Sequence, residues 1–329
     1  MTRFGKTVSR LALAAAMVAA YGLSPATQIT ARAADKVTAA KSADVAWTFV
    51  VLDIGKQQGI FAKYGIDLDI TALGGDAKVQ QALAAKSVDF GLGSGPSMAF
   101  VAKGAPVYAV AAFAAEPRNI AVVIGANSPI KTVADLKGKT LAVTTAGSLT
   151  DWLAHQLAVQ EGWTADGVKT LALGGFSPAL AALRTGQIDG IMAAIEAGYG
   201  LEEKHEGKVL IGMEKYAPKF ITHVVYARKD LIAEKPDLVK RFLQGFFATI
   251  AFEKANKDKT TEIAMQVLHQ SKTVMDRTYD YEISMFEDDG HFDPQAVEVI
   301  KDSFVGMGIL DHKPPNDELF TTQFVPVKP

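Results

Sequence analysis

The sequence predicts an α/β fold built from two similar lobes, and two observations predict it. Residues 72–75 (Ala-Leu-Gly-Gly) recur as residues 172–175, and Asp89 recurs as Asp189. In both copies the glycine pair ends a strand-like run, a helix-like stretch follows, and an apolar strand begins at the aspartate. Small molecules bind beyond the carboxyl ends of the strands in open α/β sheets. Two such lobes face to face are therefore expected to enclose a ligand between their strand-end loops.

Residues 1–33 predict a secretory signal peptide. Three basic residues precede an apolar run over residues 11–23, and residues 31–33 (Ala-Arg-Ala) offer a small-x-small cleavage site. A membrane anchor is the alternative, but this run is shorter than the roughly twenty residues that span a bilayer. Cleavage is therefore favoured over anchoring.

The composition excludes several classes of protein. The chain has 34 basic and 36 acidic residues, and residues 1–33 hold four of the basic ones and no acidic one. The mature chain is thus expected to carry a net charge of −6, which gives no basic footprint for nucleic acid or anionic membrane. Cysteine is absent, which excludes disulfides, thiolate metal sites and a lipidated N-terminal cysteine. A freely diffusing protein in the periplasm of a double-membraned bacterium is expected.

The elements of the first copy are predicted in the order βαβαβ. Residues 45–52 form an apolar run with little polar relief, which predicts a buried parallel strand. Asp53 is expected to cap the next helix. Residues 66–73 alternate as a strand. A helix near residues 76–86 and a strand over residues 89–93 complete the unit.

The same order returns in the second copy, and two extended apolar stretches connect the copies. The predicted elements are a strand at 141–144, a helix from Gly147 to about Glu161, a strand at 168–173, a helix near 178–185 and a strand at 188–195.

The two connecting stretches, residues 107–124 and 220–228, are predicted to cross between the lobes near residues 117 and 224 and to form a hinge. The resulting domain prediction is a signal peptide over 1–33, lobe one over 34–117 and 225–329, and lobe two over 118–224. The chain from Pro236 onward is predicted to be largely helical.

Four segments carry a resemblance to a known family: residues 56–70, 130–143, 174–190 and 226–242. The most specific part is Asp-Leu-Lys-Gly-Lys at residues 135–139. The chain resembles the nitrate/sulfonate/taurine class of ABC-transporter substrate-binding proteins over most of residues 45–250. The resemblance implies a two-lobed periplasmic-binding-protein fold of type II that closes on a small solute and docks on a membrane permease driven by an ATPase. It does not imply the cargo, because the relatives differ widely in ligand.

Candidate ligand-binding residues follow from the strand-end loops and helix N-termini, where free backbone N–H groups attract polar ligand atoms. Aromatic and charged residues near the predicted crossings and strand ends complete the set. The candidates are Trp47, Asp53, Gly75, Asp76, Ser94, Arg118, Thr145, Gly147, Ser148, Phe176, Glu196 and His223.

Several of these residues also have a purely structural interpretation. Ser94 and Ser148 are suited to cap the helices that follow them. Arg118 either binds a carboxylate or sulfonate bidentately or pairs with a surface acid. Glu196 is either a cleft residue, which argues against a dianionic cargo unless a cation lies beside it, or a solvated helix start. His223 is either within reach of the cargo or a structural hinge residue.

Enzyme motifs fail on spacing. Gly138-Lys139-Thr140 ends like a phosphate loop, but Val133 stands where that loop requires its first glycine. The histidines show no metal-ligand spacing, and no nucleophile, base and orienting group combine. We therefore expect no catalytic residue, no metal and no cofactor.

The sequence predicts a monomeric, periplasmic solute-binding component of an ABC importer. The expected cargo is a small anion such as a sulfonate, nitrate or an organic acid, held between the lobes and delivered to the permease and its ATPase in the inner membrane. The alternatives are the receptor of a TRAP-type carrier, or an exported enzyme or pyrimidine-precursor protein on the same fold.

Overall fold

The computed structural model describes residues 33–328. The predicted signal peptide, apart from its last residue, lies outside the described residues. Within them the strands are β1 (Asp35–Lys41), β2 (Ile66–Ala72), β3 (Phe90–Ser94), β4 (Val107–Ala114), β5 (Ile120–Gly125), β6 (Thr140–Val143), β7 (Lys169–Ala172), β8 (Gly190–Ala194), β9 (Gly207–Gly212) and β10 (His223–Arg228).

Helices cover the faces of these strands and form most of the C-terminal third. The helices of the described residues are α1 (Val51–Gln57), α2 (Ile60–Lys63), α3 (Asp76–Ala84), α4 (Met98–Ala102), α5 (Leu149–Gln160), α6 (Phe176–Arg184), α7 (Ile195–Glu203), α8 (Lys229–Glu234), α9 (Pro236–Ala255), α10 (Lys257–Leu268), α11 (Lys272–Glu282) and α12 (Pro294–Gly306).

The strands form two sheets with the same layout. The first sheet has the order β2-β1-β3-β10-β4, and the second has the order β7-β6-β8-β5-β9. In the first sheet β1 is parallel to β2 and β3, whereas β10 is antiparallel to its neighbours. In the second sheet β6 is parallel to β7 and β8, and β5 takes the antiparallel place. The predicted class, two similar α/β lobes, is confirmed.

Two crossings join the sheets. The chain leaves the first sheet after β4 and enters the second at β5, and it returns between β9 and β10. Each crossing therefore delivers a strand that inserts antiparallel into the sheet it reaches. The second crossing is hydrogen-bonded to the two strands that flank the first. The Thr222 N–H donates to the carbonyl of Ala114 in β4 at 2.8 Å, and the Met213 N–H donates to the carbonyl of Ile120 in β5 at 2.9 Å.

The repeated aspartates have the same structural role in both sheets. The Thr38 N–H donates to the Asp89 carboxylate at 3.0 Å, and the Asp89 N–H donates to the Thr38 carbonyl at 2.8 Å. Thr140 and Asp189 form the same pair of bonds, each at 2.9 Å. Each aspartate thus ties the start of the third strand to the first strand of its sheet. The repeat in the sequence is a repeat in the fold.

The strand predicted at residues 45–52 is wrong. Those residues form a short 3-10 turn (Trp47–Phe49) that leads into α1, and the first strand is β1, which precedes them. The apolar run is buried on all sides, and a short run of that kind fits a buried helix as well as a strand. β1 itself carries two alanines and three charged residues, so it lacks a hydrophobic signal.

Helix α9 packs against the first sheet, whereas α11 packs against α7, which follows β8 of the second sheet. Helix α9 begins at Pro236, which suits the first position of a helix, and buries an apolar stripe that includes Phe242, Phe246 and Ile250. The ring of Phe242 stacks on Phe90 of β3 at 3.8 Å between centroids. No helix among residues 33–328 is long and apolar enough to cross a membrane.

Candidate functional site

A cavity of about 340 Å³ lies between the two sheets, at the carboxyl ends of their parallel strands. Both glycine pairs of the repeat line it. A Cβ atom placed on Gly74 would lie 3.1 Å from the Gly174 carbonyl oxygen, and one placed on Gly75 would lie 3.1 Å from a methyl carbon of Thr145. The loops of the two sheets are therefore in close contact beside the cavity, so the described conformation is closed.

Equivalent loops from the two sheets form opposite walls. The Gly75 N–H donates to the Ser42 carbonyl at 2.8 Å, and the Gly174 N–H donates to the Thr144 carbonyl at 2.9 Å. Ser42 follows β1 and Thr144 follows β6, so the first strand of each sheet presents its next residue to the cavity. The duplicated fold thus builds the cavity from matching parts.

The two walls differ in chemistry at one repeated position. Asp76 begins α3 in the first wall, and Phe176 begins α6 in the second, exactly one hundred residues later in the sequence. The Asp76 carboxylate is 6 % exposed and accepts hydrogen bonds from the Ser94 N–H at 3.1 Å and the Ser94 hydroxyl at 2.6 Å. A fixed carboxylate therefore faces a wall that carries an aromatic ring.

The crossings contribute a buried polar group to the cavity. The Asn119 side-chain amide donates from Nδ2 to Nε2 of His223 at 2.8 Å, and Thr48 Oγ1 lies 3.5 Å from the same ring nitrogen. Burial lowers the pKa of His223 to about 3. The imidazole is consequently neutral at neutral pH.

The charge of the lining is one-sided. Among the described residues that line the cavity, Asp44 and Asp76 carry carboxylates, and there is no lysine or arginine. The ammonium of Lys78 lies at the edge, 3.3 Å from the Cβ position of Gly74, and most of the remaining lining is apolar. The described residues also contain no group of three or more His, Asp or Glu side chains arranged to hold a metal ion.

Five of the candidate residues predicted from the sequence line this cavity: Gly75, Asp76, Ser94, Phe176 and His223. Seven others do not line it: Trp47, Asp53, Arg118, Thr145, Gly147, Ser148 and Glu196.

Most of the residues outside the cavity have structural partners. Asp53 lies inside α1 and pairs with Lys41 at 2.8 Å. Ser148 is the N-cap of α5 and accepts from the Asp151 N–H at 3.4 Å. The Arg118 guanidinium lies 5.8 Å from the centre of the Tyr281 ring.

Gly147 lines a separate groove beside the C-terminal end of α12. Thr145 contacts Gly75 where the loops of the two sheets meet.

Glu196 is buried rather than solvated, and it does not line the cavity. Its carboxyl accepts a hydrogen bond from the backbone N–H of Trp47, which belongs to the loop region after β1. Burial raises the pKa of Glu196, which lies beside the equally buried Glu282 of α11. The Trp47 ring stacks on Phe286 at 5.2 Å between centroids. These residues join the two sheets through a buried contact.

Sequence reasoning missed several lining residues. Ser42 and Asp44 were missed because the first strand was placed too late, although the second copy carried a signal. In the second copy β6 begins at Thr140 and β7 begins at Lys169, which is 29 residues later. The same spacing, counted back from the start of β2 at Ile66, places the first strand of the first copy near residue 37. The polar lining residues that were missed also include Asn119, Thr144 and Thr150.

Known proteins are similar to this chain in sequence and in fold. A protein of Brucella abortus (strain 2308), named as a binding protein, is 26% identical over 229 residues, which cover 69% of this chain and 70% of the relative. The alkanesulfonate-binding protein SsuA from Xanthomonas axonopodis pv. citri, bound to MOPS, has a TM-score of 0.73 at 17% identity and covers 85% of this chain and 95% of its own. The desulfurization enzyme DSZB shares the fold with a TM-score of 0.63 at 15% identity, covering 88% of this chain and 97% of its own.

The two matching sheets and the cavity between them define the class of fold, which is the periplasmic-binding-protein fold. The chain belongs to the NMT1/THI5-like family, whose model matches residues 49–260. The resemblance to the nitrate/sulfonate/taurine class is thereby confirmed.

Proposed function

We propose that this protein is the periplasmic solute-binding component of an ABC importer. The closed cavity between duplicated sheets is the observation that carries the proposal, because a solute held there contacts both sheets only in the closed conformation. Binding then favours closure, and the closed form is the one that a permease and its ATPase recognise. The sequence alone favoured a small anion such as a sulfonate, nitrate or an organic acid.

We further propose that Gly75, Asp76, Ser94, Phe176 and His223 contact the cargo, since they line the cavity. Ser94 acts mainly by holding the Asp76 carboxylate. Thr145 and Gly147 act indirectly, through the loop that meets the opposite sheet.

A binding role is favoured over catalysis by the chemistry of His223. With a pKa of about 3 this residue is a weak general base at neutral pH, and its Nε2 is already occupied by the Asn119 amide. The likeness to DSZB keeps an enzyme as the second candidate. Incubation with sulfinates and sulfonates, followed by product analysis, distinguishes the two.

The test of the binding role is native mass spectrometry of the full chain expressed with its own N-terminus and isolated from the periplasm. We expect a chain that begins at Ala34 and carries one small molecule, and we expect deletion of the partner permease to abolish uptake of that molecule. A chain that stays in the cytoplasm, or one that never carries a small molecule, would contradict the proposal. Uptake that depends on an ion gradient rather than ATP would favour a TRAP-type carrier.

A further inference from the structure

Asn119 is a buried cavity residue whose hydrogen bonding is incomplete. It lies in the crossing between β4 and β5, is 2 % exposed, and lines the cavity. Its Nδ2 group donates to His223, and its backbone carbonyl accepts from the Ile195 N–H at 2.9 Å. Its side-chain oxygen, Oδ1, is buried and has no hydrogen-bond partner within the described residues.

The contact with His223 sets the orientation of this amide. An amide NH2 group only donates, so Nε2 of His223 accepts in the 2.8 Å contact with Nδ2, and the neutral ring carries its hydrogen on Nδ1. Nδ1 is buried and has no hydrogen-bond partner among the described residues. With Nδ2 turned toward the ring, Oδ1 points away from His223 and remains an acceptor.

The charged part of the lining also favours donors on the cargo. The Asp76 carboxylate is held in place by Ser94, and Asp44 adds a second carboxylate at the exposed side. No lysine or arginine lines the cavity within the described chain. A bare anion would lose its hydration there and lie beside two carboxylates, while the Lys78 ammonium lies at the edge of the cavity and is not part of its lining.

We infer, on the basis of the proposed solute-binding function, that the cargo presents N–H donors to Asn119 Oδ1 and to the Asp76 carboxylate and has no net negative charge. Amides, amidines and amines, including zwitterions, have this chemistry. The Phe49 and Phe176 rings and the alanine-rich walls accommodate the apolar part of such a molecule. Asn119 is thus the residue that selects donors over acceptors.

The first test compares three probes of nearly equal size and shape: benzamidine, benzamide and benzoate. We expect benzamidine and benzamide to raise the Tm and to bind in calorimetry at pH 7, and benzoate to bind at least about tenfold more weakly because it offers only acceptors. Benzoate that binds as tightly as benzamide would overturn the inference. It would leave the solute-binding function intact.

The second test changes the acceptor itself. Asn119→Asp supplies a charged acceptor, so benzamidine should gain affinity relative to benzamide, whereas Asn119→Leu should weaken both by about tenfold or more. Asn127→Asp adds the same charge at an exposed turn and should change neither. Equal effects of Asn119→Asp and Asn127→Asp would contradict the assigned role. The Tm of each ligand-free variant shows whether it is folded.

The third test identifies the molecule that co-purifies with the periplasmic protein. A neutral, zwitterionic or cationic molecule with N–H groups supports the inference, and nitrate or a simple carboxylate or sulfonate overturns it. If nothing co-purifies and none of the three probes binds, both this inference and the proposed function fail.

Discussion

Three glutamates, Glu196, Glu253 and Glu282, are buried with exposures of 1 % or less. Burial raises the pKa of each above its usual value of 4.5, and the neighbouring carboxyl of Glu196 adds to the effect at Glu282. Because their folded-state pKa values are raised, these carboxyls are uncharged in the folded protein at mildly acidic pH. Each raised pKa also changes the free energy of unfolding, by roughly 1.4 kcal/mol for each unit by which the pKa differs between the folded and unfolded states.

The buried glutamates make the folded protein less stable as the pH rises. The stability that these groups contribute is fully present below their unfolded pKa, near 4.5, and is lost as the pH rises through the folded-state values. We therefore expect the Tm of the wild type to fall as the pH rises from about 5 through about 7, where Glu196 ionises, and the Tm of Glu282→Gln to fall less. Thermal unfolding across this range measures both. Glu318→Gln, at an exposed site, is the control, and parallel curves for all three proteins would disprove the role of Glu282.

The two interpretations of Ser148, a helix cap and a ligand contact, predict different effects of its substitution. It caps α5 and shares a hydroxyl network with Thr144 and Thr150, at 3.0 Å to each. Ser148→Ala should cost about 1 kcal/mol of unfolding free energy and leave cargo affinity within a small factor, because Ser148 does not line the cavity. Urea unfolding and calorimetry measure the two quantities. Ser148→Asp, which keeps the cap, should retain the stability.

At the scale of elements, the packing of β3 against the second crossing depends on one glycine. A Cβ atom on Gly95, which directly follows β3, would overlap the backbone carbonyl of Ile221. Neither backbone segment is free to move, so Gly95→Ala should lower the unfolding free energy by about 1–3 kcal/mol or more. Gly125→Ala, where a Cβ atom meets open space, should change it little. Chemical denaturation that ranks the two variants equally would refute this account.

The secondary-structure elements also show which local sequence patterns predict strands and helices correctly. The alternation of residues 66–73 and the glycine pairs predicted β2, β7 and the helices that follow them, because these elements bury one face. The first strand was not readable, because Ala39 and Ala40 are buried without forming an apolar run and the charge of Lys41 is compensated by Asp53. Hydrophobic periodicity indicates which face of a strand or helix is buried. It does not indicate which element packs against that face.

At the scale of the whole molecule, closure depends on the approach of the two glycine pairs. Gly74→Val places a branched side chain against the Gly174 carbonyl, so the closed conformation becomes sterically unfavourable. We expect an open form with a larger radius of gyration and cargo affinity reduced by at least about tenfold, since binding requires closure. Small-angle scattering and calorimetry measure these changes. The matched control is Gly125→Val, which should close and bind as the wild type does.

The sequence by itself determined the duplication, the two α/β sheets and the strand-end loops between which the cavity lies. These features follow from local patterns that occur twice, since a repeated strand, glycine pair and helix fold in the same way wherever they stand. It also supplied five of the residues that line the cavity.

Only the tertiary structure decided the charge and the selectivity of the site. It brought together Ser42, Asn119, Phe176 and His223, which are far apart in the sequence. It also paired Asp53 with Lys41, placed Arg118 beside Tyr281 and buried Glu196 outside the lining of the cavity. A local pattern specifies that a polar residue occurs at a strand end. Which polar atoms lose their partners, and which charges are neutralised, depends on contacts that exist only when the whole chain has packed.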